Sequence, residues 1–338
     1  MEDQMSGPTY VDGMLVDWGA SLFNQSPVAA VAPKKGLTGL PLRPRQHRAG
    51  GGVVGQGRAG ADAKVIRSKL GSIVKRTPEV MVKISGGGKG MKQIKDHLDY
   101  ISRNGKLEVE DQDGNAIAGR EELRDLRAEW QHGGFQLPEE GTKREAFNIV
   151  LSMPVGTDPL SVKRAARDFA SLEFENHQYA MVLHTFDTDP DPQPSPHPHV
   201  HLCVKAKSLD GTRLNPRKAD LQRWREGFAE ALREHGVEAA ATNRQQRLQR
   251  DRGEKQAVRQ MKQRGKAPDR VGRSAVDPER VAKAKKTEAK VLRSYREIAK
   301  ALATSEDVED RKLAVGIVHR LGEQYRQVQH EQSKGAER

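Results

Sequence analysis

A single cysteine, Cys203, in 338 residues rules out an intrachain disulfide framework and a cysteine-only zinc cage. Aromatic residues make up only 4% of the chain and hydrophobic ones 35%, against 31% charged. That is too lean for one core running the whole length, so one compact domain with polar flanks is expected. No run approaches the ~18 apolar residues a membrane span needs. The N-terminus, with Glu2 and Asp3 and no positive-then-apolar pattern, does not read as a signal peptide. Secreted disulfide scaffolds and membrane-spanning proteins are thereby set aside, and the expected location is the cytoplasm.

What the chain does have is positive charge, +12 overall, placed unevenly. From Val31 to Arg76 eleven Lys/Arg face one acid, Asp62, and from Ala241 to Ala275 eleven face three. The residues outside these tracts are slightly acidic. Basic tracts of this kind track a phosphate backbone, because each neutralised phosphate releases a condensed counterion. A solvated tail without a partner explains the charge equally well.

Periodicity organises the rest. Residues 1–77 are rich in Gly, Pro and Ala and read as a disordered basic extension. EVMVKIS (79–85) alternates as a strand, and after a glycine turn Lys89–Arg103 forms a helix with Met91, Ile94, Leu98 and Ile101 as its stripe. A helix near Arg120–Gln131 and a strand at Ala146–Met153 follow. Asp158 and Pro159 then cap the next helix, which runs to about Glu175. Strands at Gln178–Thr185 and Val200–Lys205 flank a proline-rich connection, and an amphipathic helix runs on to Gly236. The chain closes with helical stretches at Pro278–Leu302 and Ser305–Gln329. This order predicts an α+β fold: an antiparallel central sheet with flanking helices, plus a helical C-terminal region. The expected divisions are 1–77 (extension), 78–240 (folded domain), 241–275 (basic linker) and 276–338 (helical region).

Four of the eleven histidines fall between His184 and His201. In an extended strand alternate side chains share a face, so His199 and His201 point one way while Val200 and Leu202 point to the core. His184 ends the preceding apolar strand, YAMVLH, and antiparallel pairing of the two strands sets a third imidazole beside the other two. Three neutral nitrogens leave positions open on a divalent ion, as catalysis requires. A surface cluster binding metal adventitiously is the bland alternative. His197 has the same parity but precedes Pro198, which suits a loop residue better than a ligand.

Tyr100, one of five tyrosines, lies roughly 130° from the centre of its own helix's apolar stripe at ~100° per residue, which argues against a core role. Lys95, Arg103 and Lys106 nearby suit a phosphate-bearing substrate. SGGGKGM at 85–91 lacks the spaced Gly-Lys-Ser/Thr ending of a nucleotide loop, so its glycines are expected to make a turn or a close approach to DNA.

Taken in order, HLDYISRNGKLEVE (97–110), NIVLSMPVGTD (148–158) and the His184–His201 stretch resemble the three motifs of relaxases, the mobilisation nucleases of the HUH endonuclease superfamily. The T-DNA border endonuclease-like branch is the most similar. The resemblance covers about residues 79–250, and a tyrosine ahead of the histidines is the relaxase order. It implies Tyr100 as nucleophile, His184, His199 and His201 as metal ligands, Mg²⁺ or Mn²⁺ as cofactor, and Ser152 as a DNA contact; Arg103, Lys106 and His197 are expected to contact DNA from their own positions. The family places an aspartate two residues after its first histidine. Here the spacing is His184-Thr-Phe-Asp187 with Asp189 beyond, which leaves both candidates open, Asp187 favoured as the catalytic carboxylate.

The implied activity is metal-dependent transesterification at an origin of transfer, forming a 5′-phosphotyrosyl link for conjugation or mobilisation. Implied partners are single-stranded or supercoiled DNA, accessory DNA-binding proteins and a type IV coupling protein, with transfer to a recipient cell attached to DNA. The alternatives are a rolling-circle replication initiator of the same superfamily, a DNA-binding protein with a vestigial metal site, and a small-substrate metallohydrolase.

Overall fold

The alternating runs YAMVLH and HVHLCVK become neighbouring strands at the centre of one sheet. The computed structural model describes residues 10–23, 56–244 and 278–336, with a few more between 246 and 265. The chain divides into two compact units, residues 77–241, and residues 1–76 together with 242–338. Most of the basic stretch 241–275, like residues 24–55, lies outside the described residues.

The central unit holds six strands: β1 (Met81–Gly86), β2 (Val109–Asp111), β3 (Ala116–Ile117), β4 (Ala146–Ser152), β5 (Tyr179–His184) and β6 (His199–Lys205). Their order is β1-β4-β6-β5-β2-β3 and every pairing is antiparallel. Four helices of this unit complete it. They are α3 (Met91–Ser102), α4 (Gly119–His132), α5 (Pro159–Glu173) and α6 (Lys218–Glu234), numbered after two helices, α1 and α2, that precede the unit.

Period two divides the sheet's side chains between two cores. Ile149, Leu151, Val200, Leu202 and Val204 pack with Phe169 of α5 and Trp224 and Phe228 of α6. On the other face Ala180, Val182 and Cys203 meet Met91, Ile94, Leu98 and Ile101 of α3 and Leu123 and Trp130 of α4. Each such buried side chain contributes roughly 1.5–3 kcal/mol, and the stripe that anchors α3 leaves Tyr100 on its outward side. Asp158 caps α5, its carboxylate accepting from the Ser161 amide at 2.8 Å, with Pro159 at the first helical position.

The β2–β3 hairpin stands between α3 and α4, where the sequence reading placed no element. Its Glu110 is buried and ion-paired with Arg167 and Lys163. The sequence reading gave the glycine run after β1 either a turn or a close approach to DNA. A Cβ on Gly87 would lie 2.3 Å from the Ala146 carbonyl oxygen, and one on Gly90 would lie 2.5 Å from that of Glu139. The close approach is to the protein's own backbone.

In the other unit the stretch expected to be disordered contains two helices, α1 (Tyr10–Phe23) and α2 (Gln56–Val74). They pack with α7 (Pro278–Ala303) and α8 (Val308–Ala336) around Leu15, Ile66, Leu70, Tyr295, Ile298 and Ile317. The reason is helical spacing: Ala63, Ile66, Leu70 and Ile73 fall three or four apart, a stripe that needs partner helices to cover it. Arg67 bridges two carboxylates there, Asp310 at 2.7 and 2.8 Å and Asp12 at 2.7 Å. No helix of the described residues is long and apolar enough to cross a membrane.

Candidate metal and nucleophile site

Antiparallel pairing sets His184, the last residue of β5, directly opposite His199, the first of β6, and sets Val182 opposite His201. The three imidazoles therefore meet on the face covered by α3. Ring centroids are 5.2 Å apart for His184–His199, 4.7 Å for His184–His201 and 5.1 Å for His199–His201. One nitrogen from each ring lies within 4.8 Å of the others, so the three could hold a metal ion.

The hydrogen bonds around the triad suit that purpose. Nδ1 of His184 lies 2.8 Å from Oδ2 of Asp189, and Nδ1 of His199 lies 2.8 Å from the His197 carbonyl oxygen. The His197 carbonyl holds a proton on Nδ1 of His199, which leaves that ring's Nε2 lone pair for a cation. Nε2 of His184 also lies 2.7 Å from the Ile101 carbonyl oxygen, a contact that ligation would exchange for the ion. Burial pushes His199 below its ordinary value and His201 down to about 2, so both are neutral, as ligands must be. Nδ1 of His201 is buried with no hydrogen-bond partner among the described residues. The donor set of three imidazoles fits a divalent cation.

Tyr100, 56% exposed, sits above this cluster on α3, its ring 6.2 Å from that of His201. The next residues explain how the helix end is held. Arg103 adopts a left-handed conformation (φ 53°), a cost of roughly 1–2 kcal/mol for a side chain other than glycine. That turn brings its guanidinium 4.8 Å over the Tyr100 ring and onto Asp189, with Nε at 2.7 Å and Nη2 at 2.9 Å. Arg103 thus joins the tyrosine to the carboxylate that orients His184. Arg103, expected as a DNA contact, has its guanidinium paired with Asp189 and stacked on Tyr100.

The two candidate carboxylates, of which Asp187 was favoured, are placed differently. Asp187 lies exposed in the turn after β5, whereas Asp189 is buried and bonded to both His184 and Arg103. The turn causes this. Thr185 Oγ1 meets Thr188 Oγ1 at 2.6 Å, and the Asp189 amide donates to the Thr185 carbonyl oxygen at 3.1 Å. The chain folds back and Asp189 returns to the histidine it follows, held well below the usual carboxylate range by the hydrogen bonds from Arg103.

Ser152 is buried on the histidine face, opposite His199 in the β4–β6 register. Lys106 and His197 are exposed. One member of the cluster was missed in the sequence: His97, a turn before Tyr100 on α3, its ring 6.4 Å from Tyr100 and 6.4 Å from His201. Burial pushes it down to about 4. The i, i+3 spacing to Tyr100 was the available signal.

Residues 100–237 match the family described as relaxase, MobA/VirD2-like, nuclease domain. Among solved structures, the chain is similar to one described as "Molecular Basis of Vancomycin Resistance Transfer in Staphylococcus aureus". That similarity has 13% identity and a TM-score of 0.29 and covers 49% of this chain and 99% of the other. It is too loose to carry over a fold or a site. No curated protein matches.

Proposed function

We propose, from the place of residues 100–237 in the MobA/VirD2-like relaxase nuclease family, that the protein nicks one DNA strand at an origin of transfer and holds the cut end covalently on Tyr100. The observation that carries this reading is the exposed Tyr100 ring 6.2 Å from the His201 ring of a three-imidazole cluster. In the reaction, the phenolic oxygen of Tyr100 forms a bond to the scissile phosphorus and the bond to the 3′ oxygen breaks. The phenolic proton is lost and the departing 3′ oxygen gains one, leaving a 5′-phosphotyrosyl link and a free 3′-hydroxyl. The link keeps the phosphodiester's energy, so the step runs backwards to rejoin the strand.

His184, His199 and His201 would hold Mg²⁺ or Mn²⁺. The bound ion supplies a Lewis acid for a non-bridging phosphate oxygen and offsets the charge that develops in the transition state. Asp189 fixes the ring of His184. Arg103 places a positive charge beside the Tyr100 ring and holds the helix end against Asp189, so nucleophile and ligands keep one geometry. Ser152, Lys106 and His197 are proposed to contact the DNA strand near the nick. Accessory DNA-binding proteins and a coupling protein are the partners this function calls for.

The test uses a pool of random single-stranded oligonucleotides labelled at the 3′ end, incubated with the protein and Mn²⁺ and run on a denaturing gel. Wild type should carry label into a protein-sized band, and Tyr100→Phe should bring that band to background. An undiminished band from Tyr100→Phe would move the nucleophile elsewhere, and no band from wild type would count against nicking.

A further inference from the structure

Each ligand imidazole carries its remaining proton on the nitrogen turned away from the ion, and that proton needs an acceptor. Asp189 serves His184 and the His197 carbonyl serves His199. His201 has none: its Nδ1 is buried without a partner among the described residues. Three other buried side-chain nitrogens share that condition, Nε of Arg127, Nε1 of Trp130 and Nε2 of His97. The first two only donate, so His97 alone among them can accept.

Position agrees with chemistry. The His97 and His201 rings lie 6.4 Å apart at 70°, and both lie beside Tyr100, His97 nearly parallel to it at 23°. Taking roughly 1.2 Å from each ring centre to its nitrogen leaves about 4 Å between the nitrogens at closest. A direct bond needs ~2.9 Å, while one oxygen joined by two bonds of ~2.8 Å spans the gap. A buried water with polar partners on two sides is an ordinary structural element.

We propose that His97 is a positioning residue whose Nε2 accepts, through one bridging water, the proton on Nδ1 of His201. This fixes the His201 ring and ties it to the helix that carries Tyr100. Burial keeps His97 neutral, so its lone pair is available. The proposal rests on the metal reading of the triad given above.

The experiment titrates the full-length chain with Mn²⁺ by calorimetry and records the visible absorption of the Co²⁺ form. His97→Leu should weaken Mn²⁺ binding about 10- to 100-fold and change the Co²⁺ spectrum. His97→Gln, whose amide oxygen can accept, should recover affinity to within about threefold of wild type, a rescue that a purely structural role would not give. Should His97→Leu fail to fold by circular dichroism, His97→Phe fills the volume without an acceptor and is judged by the same criterion. Binding within twofold of wild type by the Leu or Phe variant overturns the role of His97 and leaves the triad standing. Equal Mn²⁺ binding by wild type and His201→Ala, or none by wild type, overturns the triad and this proposal with it.

Discussion

Replacing Asp189 with asparagine separates the two carboxylates that the sequence left open, with Asp187 favoured. Asp189 accepts from Arg103 Nε at 2.7 Å and Nη2 at 2.9 Å, from His184 Nδ1 at 2.8 Å, and from the Asp191 amide at 3.1 Å. Its side chain is 3% exposed and that of Arg103 is 16% exposed. Asparagine keeps the shape but offers one oxygen and turns an NH₂ towards these donors. Oδ1 and Oδ2 each accept two of these four bonds, so either orientation of the amide loses two, at about 1.5–3 kcal/mol for a bond to a charged group. Arg103 keeps Asp191 at 3.3 Å, so the net loss of local stability should sit near the lower end for a broken buried pair, about 3 kcal/mol. Only the part that orients His184 reaches the ion. Mn²⁺ affinity measured by calorimetry should therefore fall about 10- to 100-fold, or about 1.4–2.7 kcal/mol. Asp187→Asn, changing an exposed side chain, should stay within about twofold. Weak binding by Asp187→Asn together with unchanged binding by Asp189→Asn would refute the assignment.

Arg103→Lys keeps the charge but loses the two-point grip on Asp189 and the planar stack on Tyr100. The rate of adduct formation should drop about 10- to 100-fold, while affinity for random single-stranded DNA changes less than about twofold; the opposite pattern would mark Arg103 as a strand contact. Gly87→Ala puts a methyl group 2.3 Å from the Ala146 carbonyl oxygen, which should cost about 1–3 kcal/mol, read as a lower melting temperature. Arg67→Met strands Asp310, whose side chain is 4% exposed, and should cost about 2–3 kcal/mol, read by hydrogen exchange across α2. Burial pushes the Asp310 carboxyl up, but hydrogen bonds from Arg67 and Ser305 together outweigh it and leave it below its ordinary value. Its contribution is then present above the unfolded carboxylate's ~3.9 and fades as pH falls below that, so the gap between wild type and Arg67→Met should narrow below about pH 4.

The readable parts of the site were those that backbone periodicity alone decides. His199 and His201 alternate with Val200 and Leu202, and a one-residue slip would have sent the imidazoles to the α5–α6 face and the apolar side chains to the α3 face. His184 ends an apolar strand of matching length, so its pairing with His199 followed from the same rule. Tyr100 stood off the stripe of α3 for a similar reason. What escaped was set by side chains acting across the fold. Glu110 reads as a loop acid until Arg167 pairs with it and lets a three-residue strand close the sheet. The stripe of α2 was visible as a spacing, but the glycine-rich residues around it lowered the average over residues 1–77, and a stripe gains stability only once partner helices cover it.

Asp189 and His97 are the sharper cases. Chain distance favoured Asp187, three residues after His184, yet the hydroxyl-closed turn at Thr185–Thr188 reverses the chain and returns the residue two further on. His97 shares a helix face with Tyr100, but its neighbour His201 lies on β6, more than a hundred residues later in the chain. In the proposed reading both residues act on the ligands through the ligands' remaining nitrogens. Strand parity can find the atoms that would face an ion. The atoms that orient them come from turns and neighbouring helices, and no repeat in the sequence encodes those.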